Sequence, residues 1–267
     1  MNGNRRKKIV FGTLTIVFSI ILVMSLIYII WYLITTNHGR QEYSKLQRQV
    51  VETSSVTLPT QESVGESKTA SPAANAKINF KNLQKKNADI YAWIEISGTK
   101  INYPVLQNAK DDTYYLDHNI DGSVGYPACI YSQMANAKDF SDFNTVLYGH
   151  NMKDGTMFHD LHLFENEEFF ATYKNIYIYL PDKTLTYTIF AAYTFDDRNI
   201  MRSYDFSNES VRDQYLEEIK SVKDLAAHYR DDVQVASTSH ILTLSTCIGS
   251  QPEKRYLVQG VLTDEKG

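Results

Sequence analysis

The residues best suited to covalent chemistry are a cysteine, a histidine and an arginine that lie far apart in the sequence. Cys247 ends the stretch LTLSTC, Arg255 follows eight positions later in KRYLVQG, and His150 closes the stretch TVLYGH. Each lies at an end of a predicted strand, where a rigid scaffold can present a reactive side chain to solvent.

These three residue types are suited to acyl transfer. A cysteine reacts as its thiolate, and its reference pKa of about 8.5 leaves little thiolate at neutral pH unless a cation or histidinium is near. His150 would protonate a departing amine and deprotonate an incoming one. Arg255 stays charged and could donate hydrogen bonds to a tetrahedral oxyanion. Together they predict a reaction through a thioester.

Cysteine is also a common packing residue, and the second cysteine illustrates that alternative. Cys129 lies in the apolar run GYPACIY with no cation nearby, and we interpret it as structural. Two cysteines do not make a disulfide framework, although a bridge between them depends on their spatial separation and stays open.

Two further histidines, His159 and His162 in FHDLH, could suggest a metal site together with His150. Their spacing matches no helical pair of ligands, and no carboxylate motif accompanies them. We therefore predict neither a metal nor a cofactor.

The cysteine strand and the segment before it position the nucleophile. Alternation along HILTLSTC predicts Leu242, Leu244 and Thr246 on one face, with Thr243, Ser245 and Cys247 on the other. The preceding stretch, NESVRDQYLEEIKSVKDLAAHYRDD, predicts one long helix capped by Ser207 or Asn208. Its apolar stripe comprises Val211, Tyr215, Ile219, Val222 and Leu225.

The remaining pattern predicts a mainly β domain with helices, built as a barrel or a sandwich. A short helix around Phe80 and Leu83 precedes alternating segments that carry hairpin signals. The predicted strands are YAWIEI, INYPVLQ, ACIYS, NTVLYGH, NIYIYL and TLTYTIFAAYTF, followed by the cysteine strand.

The N-terminal part predicts a membrane anchor. Residues 1–8 form a basic tail, and residues 9–37 form an uncharged apolar run long enough to cross a bilayer core of about 30 Å as a helix. The basic tail would stay cytoplasmic by the positive-inside rule, which places the rest outside the cell. A cleaved signal peptide is the alternative, but its apolar region would be shorter and would end at small residues.

The segment from 38 to 76 is predicted to be an extracellular stalk, whose first part, GRQEYSKLQRQVV, extends the membrane helix for a few turns. The rest is rich in Ser, Thr, Ala, Glu and Pro and cannot bury enough apolar surface to fold. Residues 77–267 have the size of one catalytic domain. The net charge of −4, with no basic cluster beyond residue 8, argues against a nucleic-acid partner.

TLSTC, the arginine of KRYLVQG and the upstream LYGHNM together resemble the sortases over nearly all of residues 77–261. The domain begins with INFKNLQKKNADIYAWIEISGTKINYPVLQ, which is similar to the start of class B sortases. The long helix before the cysteine strand is also similar to a class B feature. No second membrane segment and no aspartate-aromatic lid motif are found, which counts against class C. The resemblance implies an eight-stranded sortase-type β-barrel with an N-terminal helix.

The resemblance also implies the function of a cysteine transpeptidase at the Gram-positive cell surface. Cys247 would attack the threonine carbonyl of a C-terminal sorting motif in a secreted protein, and a peptidoglycan-precursor amine would resolve the thioester. His150 would be the acid and base, and Arg255 the oxyanion and substrate clamp. Ser245 matches a family position that contacts substrate, and Thr246 would add an oxyanion donor.

Two alternative functions stay open at this point. A cysteine hydrolase would resolve the same thioester with water. A non-enzymatic surface adhesin would more typically carry a C-terminal sorting signal and a hydrophobic tail, whereas this sequence ends in VLTDEKG directly after the last predicted strand.

Overall fold

The computed structural model describes residues 3–55, 78–222, 224 and 226–267. The helices are α1 (Gly3–Ser55), α2 (Phe80–Lys86), α3 (Tyr114–Asp117), α4 (Glu167–Thr172), α5 (Ile200–Ser203) and α6 (Glu209–Ser221), with a 3₁₀ helix at His159–Glu165. The strands are β1 (Ile90–Ile96), β2 (Asn102–Leu106), β3 (Ile130–Tyr131), β4 (Asn144–Tyr148), β5 (Asn175–Tyr179), β6 (Thr184–Asp196), β7 (His228–Tyr229), β8 (Ile241–Ile248) and β9 (Gln251–Lys266).

Eight of the strands close into the predicted barrel. Their order is β5-β1-β2-β3-β4-β8-β9-β6, and β6 pairs again with β5 to close the ring, while β7 is an extra short strand on β6. Most neighbours are antiparallel, but β4 and β8 are parallel, with Tyr148 opposite Ser245. The carboxyl ends of these two strands therefore lie at the same edge of the barrel.

The predicted alternation along β8 is confirmed by two separate hydrophobic clusters. Leu242 and Leu244 belong to the cluster that fills the barrel. Ile241 belongs to a second cluster on the outer face of the sheet, which α6 covers with Tyr215 and Ile219. Burial ends at Thr246, so Cys247 is exposed at the end of the strand.

The helix before β8 begins as predicted but is shorter than predicted. Asn208 is its N-cap, and its side-chain oxygen accepts from the backbone N–H of Ser210 at 3.0 Å. The helix ends at Ser221, because the residues that follow return to the sheet and pair as β7 with Ala191 and Ala192 of β6. Pairing with the sheet here overrides the helical pattern, and Leu225 lies outside the described residues.

The N-terminal helix combines an apolar span with a segment that packs on the barrel. Residues 10–32 are long and apolar enough to cross a membrane. The helix then continues to Ser55, so the predicted extension is helical, and it buries Tyr43 and Leu46 in the barrel core. The sequence analysis did not anticipate that this segment contributes to the core. The rest of the predicted stalk, residues 56–76, lies outside the described residues.

Candidate active site

Cys247, His150 and Arg255 line one groove at the edge of the barrel, together with Ser245 and Thr246. The groove encloses about 210 Å³. The structure therefore brings together all five residues that the sequence singled out.

Cys247 lies directly opposite Arg255 across the β8–β9 ladder. Directly opposed residues in an antiparallel pair have Cβ atoms about 4.5–5.5 Å apart, so both side chains leave the sheet on the same face. The register breaks immediately afterwards, since the next residue, Ile248, pairs with Gln251. Cys247 is thus the last residue of the regular ladder.

The Arg255 side chain is held by carbonyl oxygens in the first residues of its own strand, β9. Its Nη1 donates to the carbonyl oxygens of Pro252 at 2.7 Å and Lys254 at 2.8 Å. On its other side, β6 places Phe195 opposite Arg255. A guanidinium has five N–H donors, and within the described residues the Nε and Nη2 groups of Arg255 make no hydrogen bond to protein, so they are available to a ligand in the groove.

His150 reaches the groove through a tight connection after β4. The N–H of Gly149 donates to the Ser245 carbonyl at 3.1 Å, which extends the parallel pairing by one residue. A Cβ on Gly149 would lie 2.5 Å from Ile130 Cδ1 and 2.7 Å from Phe158, so only glycine fits at this position. This explains the glycine in YGH.

The hydrogen bond of the His150 ring defines its tautomer. Its Nε2 lies 2.6 Å from the Leu116 carbonyl oxygen, and the Tyr126 ring packs edge-on at 5.2 Å between centroids. A carbonyl can only accept, so Nε2 carries the proton. In the neutral ring, Nδ1 is then the atom with a free lone pair.

Ser245 and Thr246 line the groove differently from Cys247, because both are buried. The Thr246 hydroxyl donates to the Gly149 carbonyl at 2.8 Å and so joins the two catalytic strands. The substrate contacts predicted for Ser245 and Thr246 stay predictions.

Sequence reasoning missed the aromatic wall of the groove. Tyr131 and Tyr148 stack with centroids 5.5 Å apart, and both line the groove. Burial raises the pKa of Tyr131 to about 12, so its phenol is neutral at physiological pH. The position of Tyr148, two residues before His150, was a usable signal.

An ion pair that lines the same groove was also missed. The Arg198 Nε donates to both carboxylate oxygens of Asp196, at 2.7 and 2.8 Å, and its hydrogen bonds lower the pKa of that carboxyl. The guanidinium also lies over the Phe195 ring at 5.0 Å from the centroid. This pair is a fixed polar feature of the groove.

The other two histidines do not join His150. His159 and His162 both contact the side chain of Asn151. Among the residues that the structure describes, no three His, Cys, Asp or Glu side chains are grouped as a metal site requires.

Cys129 is a buried free thiol, and no disulfide joins it to Cys247. Its Sγ lies 3.1 Å from the Tyr43 hydroxyl of α1. Burial raises the pKa of Cys129 to about 12, which keeps the thiol protonated. This agrees with a structural role.

Comparison with known proteins identifies the family. Residues 94–263 match the sortase domain. Sortase B of Listeria monocytogenes is 34% identical over 185 residues, covering 68% of this chain and 73% of that protein, and sortase B of Staphylococcus aureus is 33% identical over 181 residues, covering 67% and 72%.

Solved structures give the same result. The structure of Clostridium perfringens sortase B superposes with a TM-score of 0.63 at 34% identity, covering 70% of this chain and 100% of that one. The Staphylococcus aureus sortase B–substrate complex superposes with a TM-score of 0.68 at 30% identity, covering 85% and 97%. The chain, with its closed eight-stranded barrel and its cysteine at the end of β8, belongs to the class B sortases, a family of cysteine transpeptidases.

Proposed function

We propose that this protein cleaves a sorting motif near the C-terminus of secreted proteins, after a threonine, and transfers the acyl fragment to a cell-wall precursor amine. The observation that carries the proposal is the single groove in which exposed Cys247 meets His150 and Arg255. The motif and the acceptor come from the sortase resemblance rather than from the geometry.

The first half-reaction forms the thioester. The Cys247 thiolate bonds to the threonine carbonyl carbon and gives a tetrahedral oxyanion. As that intermediate collapses, the carbon–nitrogen bond breaks, and protonated His150 gives its proton to the departing amine. The product is an acyl-enzyme on Cys247 and a neutral His150.

The second half-reaction reverses these roles. An acceptor amine attacks the thioester carbonyl and loses a proton to neutral His150, and the thiolate of Cys247 leaves. The new amide bond releases the product, and the enzyme returns to its starting protonation state. One histidine therefore acts as acid in the first step and as base in the second.

Arg255 is placed to stabilise both tetrahedral intermediates. The carbonyl oxygens of Pro252 and Lys254 in β9 fix one end of its guanidinium, so the remaining donors need little reorganisation when the oxyanion forms. A planar guanidinium in a fixed orientation is suited to bind a carbonyl oxygen that becomes negatively charged during the reaction.

We also propose that the barrel lies outside the cell and is anchored by α1. The basic residues Arg5, Arg6, Lys7 and Lys8 precede the apolar span of residues 10–32, which favours a cytoplasmic N-terminus. The catalytic groove would then be accessible to secreted substrate proteins and precursor amines on the extracellular side of the membrane. Protease treatment of intact cells tests this topology: it should cut in residues 56–76 and yield the barrel as a fragment separate from α1 on a denaturing gel.

The reaction is tested by product analysis. A peptide library incubated with the enzyme, with and without an amine acceptor, is analysed by mass spectrometry. We expect a transfer product that requires the amine, and the acyl fragment trapped on Cys247 identifies the motif. Hydrolysis alone in the presence of amine would instead assign a cysteine hydrolase, and no cleavage of any peptide would favour a non-enzymatic surface protein.

A further inference from the structure

A polar cluster outside the groove lining holds the backbone of the nucleophile. The carbonyl oxygen of Cys247 lies 3.0 Å from Asn151 Nδ2 and 3.1 Å from His162 Nε2. Neither Asn151 nor His162 lines the groove. Two side chains from another part of the chain therefore converge on one carbonyl of the catalytic residue.

This carbonyl lies where the β8–β9 ladder is interrupted. Cys247 pairs with Arg255, but the next residue pairs with Gln251, so the register shifts at this peptide. Backbone polar groups need a partner, and an irregular position in a sheet leaves the local pairing disrupted. Side chains supply the hydrogen bonds where the regular ladder ends.

The two contacting side chains are themselves oriented. His162 Nδ1 lies 2.6 Å from Glu165 Oε1, and the imidazole stacks on the Tyr256 ring with centroids 5.2 Å apart. Tyr256 directly follows Arg255 in β9. His162, on the 3₁₀ helix, thus touches the strand of the nucleophile and the strand of the catalytic arginine.

Asn151 connects the same carbonyl to the base. It directly follows His150, and its Oδ1 lies 2.7 Å from Nδ1 of His159. Its Nδ2 also lies 3.0 Å from His162 Nε2, but both nitrogens face the Cys247 carbonyl oxygen, so in the clamp each donates to that oxygen and not to the other. A hydrogen bond from Asn151 to Cys247 therefore fixes the loop of the base relative to the strand of the nucleophile.

From these contacts we infer that Asn151 and His162 form a carbonyl clamp that positions Cys247 against His150 and Arg255, an inference that rests on the proposed transpeptidase function. The clamp does not touch the groove, so its members are positioning residues. It acts through the orientation of the Cys247 peptide, which sets the approach of the thiolate to the substrate carbonyl. Small misplacements of reacting groups slow chemistry strongly while leaving substrate binding intact.

Two substitutions of His162 separate its hydrogen bond from its packing. His162→Phe keeps an aromatic ring against Tyr256 but has no donor, whereas His162→Gln loses the ring and keeps an amide near the position of Nε2. The matched control is His240→Phe, because His240 directly precedes β8 at the end away from Cys247, and its Nδ1 lies 3.0 Å from the Asp142 carbonyl oxygen.

We expect His162→Phe to lower kcat for amine transfer at least about tenfold with KM within about twofold, since the clamp affects alignment and not binding. His162→Gln and His240→Phe should keep kcat within about threefold of the unsubstituted protein. The inference would be overturned if kcat fell equally in His162→Phe and His162→Gln, or if it fell equally in the His240→Phe control. It would also be overturned if only KM changed.

Alkylation of Cys247 by iodoacetamide gives a second readout that needs no peptide substrate. Its rate should change at least threefold in His162→Phe and stay unchanged in His162→Gln and His240→Phe. Unchanged alkylation in His162→Phe would contradict the clamp alone. The expected alkylation pattern in a protein that transfers no peptide would contradict the proposed function and leave the clamp standing.

Discussion

At the scale of single residues, the two cysteines differ through their surroundings. Cys129 is 1% exposed and contacts the Tyr43 hydroxyl, and burial raises its pKa to about 12. Cys247 is exposed at the barrel edge, opposite a guanidinium. Accessibility and a neighbouring positive charge are the conditions under which a thiol becomes a nucleophile.

This contrast predicts selective alkylation. Iodoacetamide at pH 7–9 should modify Cys247 in the folded protein and leave Cys129 unmodified, because a raised pKa keeps the thiol of Cys129 neutral until the pH approaches about 12. Peptide mass spectrometry after labelling checks it, with urea-unfolded protein as the positive control for Cys129. Equal labelling of both cysteines in the folded protein would contradict the assignment.

Replacement of Arg255 by lysine tests whether the positive charge of this side chain is enough for activity without its planar donor geometry. Arg255→Lys keeps the positive charge but loses the planar guanidinium, which bonds the Pro252 and Lys254 carbonyls and lines the groove. We expect kcat/KM to fall by about 10²-fold, the usual result of losing one oxyanion donor.

The rate of Cys247 alkylation in the same variant is the control. It should stay near that of the unsubstituted protein, since lysine still supplies a positive charge on the residue opposite Cys247. Near-normal turnover in Arg255→Lys would mean that Arg255 acts only through its charge.

At the scale of elements, a buried polar network joins the catalytic strands to the helix that covers them. Gln259 of β9 donates to the Thr243 hydroxyl of β8 at 2.7 Å and to the Tyr215 hydroxyl of α6 at 2.8 Å, and it accepts from Tyr193 of β6 at 2.9 Å. Thr243 in turn donates to Asn144 of β4 at 2.8 Å. The strands that carry or precede His150, Cys247 and Arg255, namely β4, β8 and β9, are therefore all tied to this network.

Gln259→Leu should lower the free energy of unfolding by about 1–3 kcal/mol, because it leaves several buried hydroxyl groups without their partner. Urea unfolding of the full chain in detergent, followed by near-UV circular dichroism, measures the change. Thr263→Val is the control in the same strand, since the Thr263 hydroxyl is exposed, and it should be close to neutral. A neutral Gln259→Leu would show that water or repacking satisfies the network.

Sequence patterns predicted β8 and the start of α6, where the hydrophobic residues follow a single periodicity. Alternation correctly placed Leu242 and Leu244 on one face of the strand, which lies inside the barrel, and Asn208 is one of the two residues predicted as the helix cap. The predicted C-terminal end of α6 was wrong, because the pairing of β7 with β6 depends on residues more than thirty positions away. The carbonyl clamp on Cys247 could not be predicted from the sequence for the same reason, since Asn151 lies 96 positions from the carbonyl that it contacts.

At the scale of the whole molecule, α1 joins the apolar span to the barrel as one continuous helix. Tyr43 donates to the Ala128 carbonyl at 2.6 Å, Leu46 is fully buried, and Arg40 forms an ion pair with Asp154. A Cβ on Gly39 would lie 2.5 Å from Pro127, so glycine permits the close approach. These contacts fix the barrel relative to the helix segment that follows the apolar span.

Leu46→Ala tests how much this docking contributes. Truncating a fully buried leucine costs about 2–5 kcal/mol when the site cannot collapse. Urea unfolding of the full chain in detergent should show that loss, while Arg48→Ala, an exposed neighbour on the same helix, should be close to neutral. Equal stability of the two variants would mean that the helix segment contributes little to the fold.

The most direct test of the account is the mass of the acyl-enzyme formed with a sorting peptide when no amine is supplied. We predict a covalent adduct on Cys247 in the unsubstituted protein and in Cys129→Ala, and neither adduct nor turnover in Cys247→Ala. Peptide cleavage by Cys247→Ala, or an adduct on Cys129, would contradict the assignment of Cys247 as the nucleophile.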